Sequence, residues 1–333
     1  MPIVFNGKTA LLSETENDLF IGRNDDYNRI FDLIESGCNC AVAGQPGIGK
    51  TSMLKRLERQ LSEKYTVIYL SMPTTDPEMF LRKLLFSLSV AYADTIPSEY
   101  RGKLLYTQEI QTLARGLLYG ETLGEREEKK ILSFLRELIK TDEEIPYRLF
   151  TAEDMKQVCG KILSDIPKKL VIIVDDLDKV FSRSINESRD QVERLYLFLT
   201  EISDLLHMPK TVWLLSLHGE IFENLEKYVF IQNDSVLLSY INEIIPLKPF
   251  SVEESRKILE KRASGKVFDI FSRGAFRLLL ACSKGNPRLL IYAASKTIKY
   301  TTDTPVSIDD CIAALRANLS LDPRDLMILK NAA

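Results

Sequence analysis

No stretch of about 18 consecutive apolar residues occurs in the 333-residue chain, so a transmembrane helix is not expected. The opening residues MPIVFNGKTALLSETEN lack the basic-then-apolar pattern of a secretory signal, and a cytoplasmic setting is the expectation. Cysteine is sparse: five residues, an odd number, without the spacing of a disulfide framework. Cys38 and Cys40 flank one residue in an apolar run, and Cys159, Cys282 and Cys311 are scattered, whereas a zinc site needs convergent ligands. They read as small buried residues in a reducing compartment. The chain shows no internal repeats and no low-complexity segment. Histidine numbers only two, and His218, alone near Ser216, reads as structural.

What is present is ordinary in bulk. A hydrophobic content of 45% and a charged content of 27% describe a globular chain, long enough for a core domain plus a smaller one. The net charge of −3 hides an asymmetry. From Ser251 onward 14 Lys and Arg face 9 Asp and Glu, while the first 250 residues carry 30 against 38. The C-terminal part is thus basic, which suits either a solvated helical surface or contact with nucleic acid.

Apolar runs with the look of buried parallel strands occur at NCAVAG (39–44), TVIYLSM (66–72), KLVIIVDD (169–176), TVWLLSL (211–217) and INEIIPL (241–247). Helical periodicity fills the intervals, which predicts an α/β fold with a five-stranded, mostly parallel sheet sandwiched by helices. After Pro249 the pattern turns wholly helical: SVEESRKILEKRA, VFDIFSRGAFRLLLACS, NPRLLIYAASKTIKYT and SIDDCIAALRANL, separated at Gly265, Gly285 and Pro305. The predicted organisation is a core over residues 1–250 and a helical domain over 251–333. Between the second and third strands lies an interval too long for a plain crossover, so a helical insertion is expected at about 76–168, with DPEMFLRKLLFSLSVAY and EREEKKILSFLRELIK its clearest helices.

GQPGIGKT matches G-x-x-x-x-G-K-[ST] at Gly44, Gly49, Lys50 and Thr51, after an apolar strand and before the helical SMLKRLERQL. Glycines let the loop backbone turn its N–H groups toward phosphates at a helix's positive end. The residues from Gly44 to Ser52 (with Gln45, Pro46, Gly47 and Ile48 between) are therefore candidates to hold a nucleoside triphosphate. Lys50 would reach the β- and γ-phosphates and the Thr51 hydroxyl would ligate Mg²⁺. In KLVIIVDDLDKV, an apolar strand delivers Asp175 to its carboxyl end, where it would hold Mg²⁺, and Asp176 is placed to orient or deprotonate the attacking water.

With these residues the chain resembles the P-loop NTPases of the additional-strand class, in the AAA+/STAND group. LFIGRNDDYNRIFDLI resembles the group's hydrophobic-Gly-Arg segment, which implies that Gly22 and Arg23 border the adenine. TVWLLSLHGE resembles the sensor 1 strand, with Ser216 near the γ-phosphate. IPLKPFSVEESRKILEKR resembles the passage into the helical lid, and KGNPRLL the sensor 2 motif, with Arg288 turned toward the nucleotide. The resemblance spans roughly Phe20 to Tyr300. It implies ATP, ADP and Mg²⁺ as cofactors and ATP hydrolysis as the activity.

Two departures shape the functional expectation. Most members place Glu after the metal-binding Asp, where this chain has Asp176. One methylene fewer draws the carboxylate back by roughly 1.5 Å, and displacements near 1 Å already matter in catalysis. Slow, switch-like hydrolysis follows. Ring-forming members also lend a neighbour an arginine from between sensor 1 and the last core strand, but no Arg occurs from Leu217 to Phe250. Arg183, Arg189 and Arg194 are the available substitutes. The first expectation is thus a regulatory ATPase whose nucleotide state controls lid closure, partner binding or self-assembly through the insertion or the lid, without a membrane. The second is a DNA-associated initiator, loader or transposition-type regulator, favoured by the basic lid. A kinase would share the phosphate loop but not the lid motif.

Overall fold

The five apolar runs become five strands in a computed structural model that describes residues 5–8, 19–71, 76–95, 151–166, 168–177, 188–220, 223–224, 227, 240–263, 265–301 and 304–319. They are β1 (Cys40–Gly44), β2 (Thr66–Ser71), β3 (Leu170–Asp175), β4 (Thr211–His218) and β5 (Glu243–Pro246). They form one parallel sheet in the order β2-β3-β4-β1-β5, with Thr66 beside Leu170 and Leu170 beside Thr211 in register. Every residue of β1 and β3 is buried, which is why both read as unbroken apolar runs rather than alternating ones.

The strand ends have local causes. Asn39 lies just before β1, with its backbone N–H turned to a side chain and its own side chain holding neighbouring elements. Its Oδ1 accepts from Trp213 N–H at 2.9 Å and its Nδ2 donates to Leu206 O at 2.9 Å. Asn39 N–H in turn donates to the Asn242 side chain at 2.8 Å, so Asn242 substitutes for the ladder and β5 begins only at Glu243.

Helices α1 (Asn24–Glu35), α2 (Lys50–Ser62), α3 (Pro77–Thr95), α4 (Ala152–Asp165), α5 (Ser188–Glu201) and the single turn α6 (Ser203–Leu206) fill the intervals between strands. Phe80, Leu81, Leu84 and Leu88 of α3 and Met155, Val158 and Ile162 of α4 enter the same core as Ile68, Ile172 and Trp213. Phe80 meets Phe198 edge-on at 5.1 Å between ring centres, a geometry worth about 0.5–1.5 kcal/mol beyond its buried area. Both described ends of the long interval therefore cover the sheet, while the run EREEKKILSFLRELIK lies outside the described residues.

Beyond β5 come α7 (Val252–Ala263), α8 (Val267–Ile270), α9 (Arg273–Ser283), α10 (Pro287–Tyr300) and α11 (Ile308–Leu319). Ser251 and Glu254 close a capping box on α7, and Ser307 with Asp310 does the same for α11. The run 267–283, expected as one helix, is two. Ser272 caps α9 by accepting from Ala275 N–H at 3.2 Å, and Phe271 bridges to Val306 as extended chain. A serine that can cap wins over continuing the helix.

Residues cluster into two units. One holds Met1–Tyr27, Gly44–Arg56 and Pro246–Ala333; the other holds Asn28–Ala43 and Leu57–Ile245. The phosphate-loop residues thus group with the C-terminal helices, and the aspartates with the sheet.

Candidate functional site

In the first unit, the loop between β1 and α2 presents Gly44 to Gly49 ahead of the helix N-terminus at Lys50. Gln45 and Pro46 are exposed, Gly44, Ile48 and Lys50 are buried, and Gly47, Gly49, Thr51 and Ser52 are half-buried. The Lys50 ammonium donates to Gly44 O at 2.7 Å, so the loop's own carbonyl holds it at the helix start. Gly47 has φ of +83°, and a Cβ there would lie 2.9 Å from both Asn286 Oδ1 and Arg288 Cβ. Only glycine suits that backbone and that gap.

The partner of Gly47 is the start of α10. Asn286 Oδ1 accepts from the N–H groups of Arg288 at 3.0 Å and Leu289 at 3.3 Å, while its Nδ2 donates to Pro46 O at 2.8 Å. One buried amide side chain therefore caps the helix and ties it to the phosphate loop. Arg288 begins the exposed face of α10, with its Cβ beside Gly47.

Gly22 and Arg23 both have positive φ, +72° and +62°. Arg23 donates to Ile48 O at 3.0 Å and Lys248 O at 2.8 Å, pairs with Asp26 at 3.4 Å, and lies 4.4 Å over the Phe250 ring. Burial lowers its pKa, opposed by Asp26. Its guanidinium clamps the loop to the segment entering α7. Beside this clamp, Ile21, Phe250, Ile258, Pro287 and Ile291 line an open cleft that also borders Gly47, Gly49 and Ser52. Apolar walls next to a phosphate-binding loop suit an aromatic base.

In the second unit, Asp175 closes β3 with 2% of its surface exposed. Its Oδ1 accepts from Asp176 N–H at 2.8 Å and its Oδ2 from the Tyr69 hydroxyl at 2.6 Å. Asp176 adopts φ of +65°, a left-handed backbone that Asp tolerates better than most residues, and its Oδ2 accepts from Ser71 Oγ at 3.2 Å. Burial, and then the Asp175 charge, push the Tyr69 phenol far above its ordinary pKa, so it remains a donor. Ser216, on the neighbouring strand β4, is fully buried and its Oγ has no hydrogen-bond partner among the described residues.

The structure thus brings Gly22, Arg23, Gly44 to Ser52 and Arg288 together in one unit, and Asp175 with Asp176 in the other. Among the substitute arginines, Arg194 is exposed on α5, Arg183 lies outside the described residues, and so does the Arg189 side chain. Sequence reasoning missed Tyr69, Ser71 and the second role of Asn286. For the first two the sequence carries only the alternation of residues across β2; the register that sets Ser71 beside Asp175 is a tertiary feature.

All five cysteines are free, and no group of three His, Cys, Asp or Glu that could hold a metal occurs among the described residues. A thiolate zinc site is therefore absent from that part. The Thr51 hydroxyl in one unit and the Asp175 carboxylate in the other each offer the oxygen donors that Mg²⁺ prefers.

No curated protein matches the chain. Solved structures similar to it include the Aeropyrum pernix ORC2 protein in ADPNP-ADP complexes, at 17% identity and TM-score 0.46, covering 91% of this chain and 68% of that one. The Walker-type ATPase paby2304 of Pyrococcus abyssi is 13% identical with TM-score 0.48, over 97% and 79% of the two chains. The Thermotoga maritima RuvB Holliday junction branch migration motor is 14% identical with TM-score 0.43, over 97% and 78%. The family described as AAA ATPase domain matches residues 19–205, which include the phosphate loop and both aspartates. The chain belongs to this family of AAA+ P-loop ATPases.

Proposed function

We propose that this ATPase is a regulatory switch: its nucleotide state sets the position of the helical lid over residues 251–333, and the closed form presents a surface to a partner protein or to further copies of itself. The observation that carries the reading is the Asn286 Nδ2 bond to Pro46 O, with Arg288 packed against Gly47. A lid bonded to the phosphate loop makes different contacts when the loop wraps a triphosphate, and such differential contact is what moves a two-state equilibrium.

In this reading Lys50 and the backbone from Gly44 to Gly49 hold the phosphates, and Thr51 and Asp175 hold Mg²⁺, which supplies charge neutralisation on the β- and γ-phosphates. Ser216 and Arg288 sense the γ-phosphate, and Gly22 and the cleft beside Arg23 take the base. Asp176 orients the attacking water, and its short arm keeps hydrolysis slow. The five free thiols support a reducing, cytoplasmic setting.

Hydrogen exchange along α10, without nucleotide and with ADP or a non-hydrolysable ATP analogue, tests the switch. Slower exchange at the α10 N-terminus with the ATP analogue than with ADP is expected. Equal exchange in all three states overturns the reading.

The second reading, a DNA-associated initiator or loader, is favoured by the 14 Lys and Arg against 9 Asp and Glu after Phe250. It requires duplex DNA binding that weakens steeply with salt, with Lys→Ala changes in the lid reducing the salt slope.

A further inference from the structure

Asp175 is buried, and a carboxylate that is to face a hydrated metal ion needs something to hold its plane. We propose that Tyr69 is a positioning residue that aims the Asp175 carboxylate at the hydrated Mg²⁺ through the Tyr69 Oη to Asp175 Oδ2 hydrogen bond. The inference rests on the reading that Asp175 holds the metal.

The strand register makes the contact. β2 and β3 run parallel, with Tyr69 beside Ile173 and Ser71 beside Asp175. Ile68 and Leu70 of β2 and Ile172 and Val174 of β3 point into one core, so the alternate residues Tyr69, Ser71 and Asp175 share the opposite face. Tyr69 and Asp175 are diagonal neighbours there, a spacing that a long aromatic side chain spans.

The geometry fixes the carboxylate from both sides. At 2.6 Å the phenol bond has the length of a charge-assisted O–H···O⁻ contact. The other oxygen takes Asp176 N–H at 2.8 Å. With one oxygen tied to the β2 side chain and the other to the backbone, rotation about the terminal torsion is blocked. The remaining lone pairs then keep a single direction. Removing the phenol donor leaves the metal to order the carboxylate itself, and loss of such outer partners typically costs 10–100-fold in metal affinity.

Tyr69→Phe keeps the ring and deletes the hydroxyl that donates to Asp175. The test is fluorescence anisotropy of a fluorescent ATP analogue bound to the full chain, first in EDTA and then across a Mg²⁺ titration. Binding in EDTA should match wild type within about two-fold, while the Mg²⁺ midpoint rises by about ten-fold or more. An unchanged midpoint overturns the proposal, as does an equal loss of affinity with and without Mg²⁺, which marks a packing role. Asp175→Asn run in parallel separates the two ideas. If it also leaves the midpoint in place, the metal reading of Asp175 has failed; if it moves the midpoint and Tyr69→Phe does not, only the positioning role has. Should Tyr69→Phe fail to fold, Tyr69→Leu is measured by the same ratio of affinities, with the same expectation.

Discussion

Arg23 shows how one side chain can hold the surroundings of a nucleotide loop. Its hydrogen bonds go to two backbone carbonyls, Ile48 O and Lys248 O, and its face covers Phe250. Arg23→Ala leaves those carbonyls without their cation, and charged hydrogen bonds of this kind contribute about 1.5–3 kcal/mol each net of exchange with water, less where one nitrogen serves two acceptors. A loss of roughly 2–4 kcal/mol in a urea melt is expected, with Arg23→Lys intermediate because an ammonium lacks the planar fork whose second nitrogen meets Asp26 and whose face covers Phe250. A wild-type melt for Arg23→Ala would show the clamp to be idle. The cysteines give a second expectation at this scale. Burial pushes the Cys40 and Cys311 thiols from 9.0 up to about 12. Because the folded values are raised, the thiols' contribution to stability is complete below pH 9 and is lost as pH climbs toward 12. Native protein at pH 8 should resist iodoacetamide at both positions and react in urea. Rapid native labelling of Cys40 would contradict its burial.

At the scale of elements, α10 carries the most specific expectation, since Asn286 performs two tasks with the two ends of one amide. Asn286→Asp retains a side-chain oxygen for the cap but lacks the donor to Pro46 O. Asn286→Ala loses both. The alanine variant should cost about 2 kcal/mol, from a cap worth about 1 and a hydrogen bond worth about 1. The aspartate variant keeps the cap and should lose only about 1 kcal/mol, the share of the Pro46 bond, yet lose the ATP-dependent exchange protection of α10. Loss of that protection in neither variant would detach the lid from the loop. β2 is the corresponding element in the sheet, where alternation sends Ile68 and Leu70 to the core and Tyr69 and Ser71 to the aspartates. β2 thereby supplies hydrogen bonds to both aspartates.

At the scale of the molecule, the expected boundary near Phe250 is crossed by the grouping of residues in space. Gly44–Arg56 clusters with Pro246–Ala333 because Arg23, Leu247, Asn286 and Arg288 all contact the loop. The C-terminal helices and the phosphate loop fall in one compact unit, an arrangement that suits the proposed switch. Two measurements belong here. Single-turnover hydrolysis by Asp176→Ala should fall by about two to four orders of magnitude, the usual worth of a general base, and Asp176→Glu should hydrolyse faster than wild type. Wild-type rates in both would remove Asp176 from the reaction. Mass in solution with ADP and with a non-hydrolysable ATP analogue should rise only with the latter. A rise that needs DNA favours the loader reading, and an unchanged monomer removes assembly. Among the described residues no helix is long and apolar enough to cross a membrane.

The amino-acid sequence by itself determined the element types, the five strands and the identity of the phosphate loop. Buried parallel strands must be apolar throughout, and a loop that wraps phosphates must be built of glycines followed by Lys and Thr. Those are local constraints, written in adjacent residues. It also exposed Asp175 and Asp176, because a charged pair at the end of an apolar strand stands out. What only the tertiary structure decided were the partners of these groups: Tyr69 on Asp175, Ser71 on Asp176, Asn286 on Pro46 and Arg23 on Ile48. Each joins residues 25 to 240 positions apart. No local pattern encodes such a pair, since strand register and helix packing choose it, and these are settled by burial of the whole core.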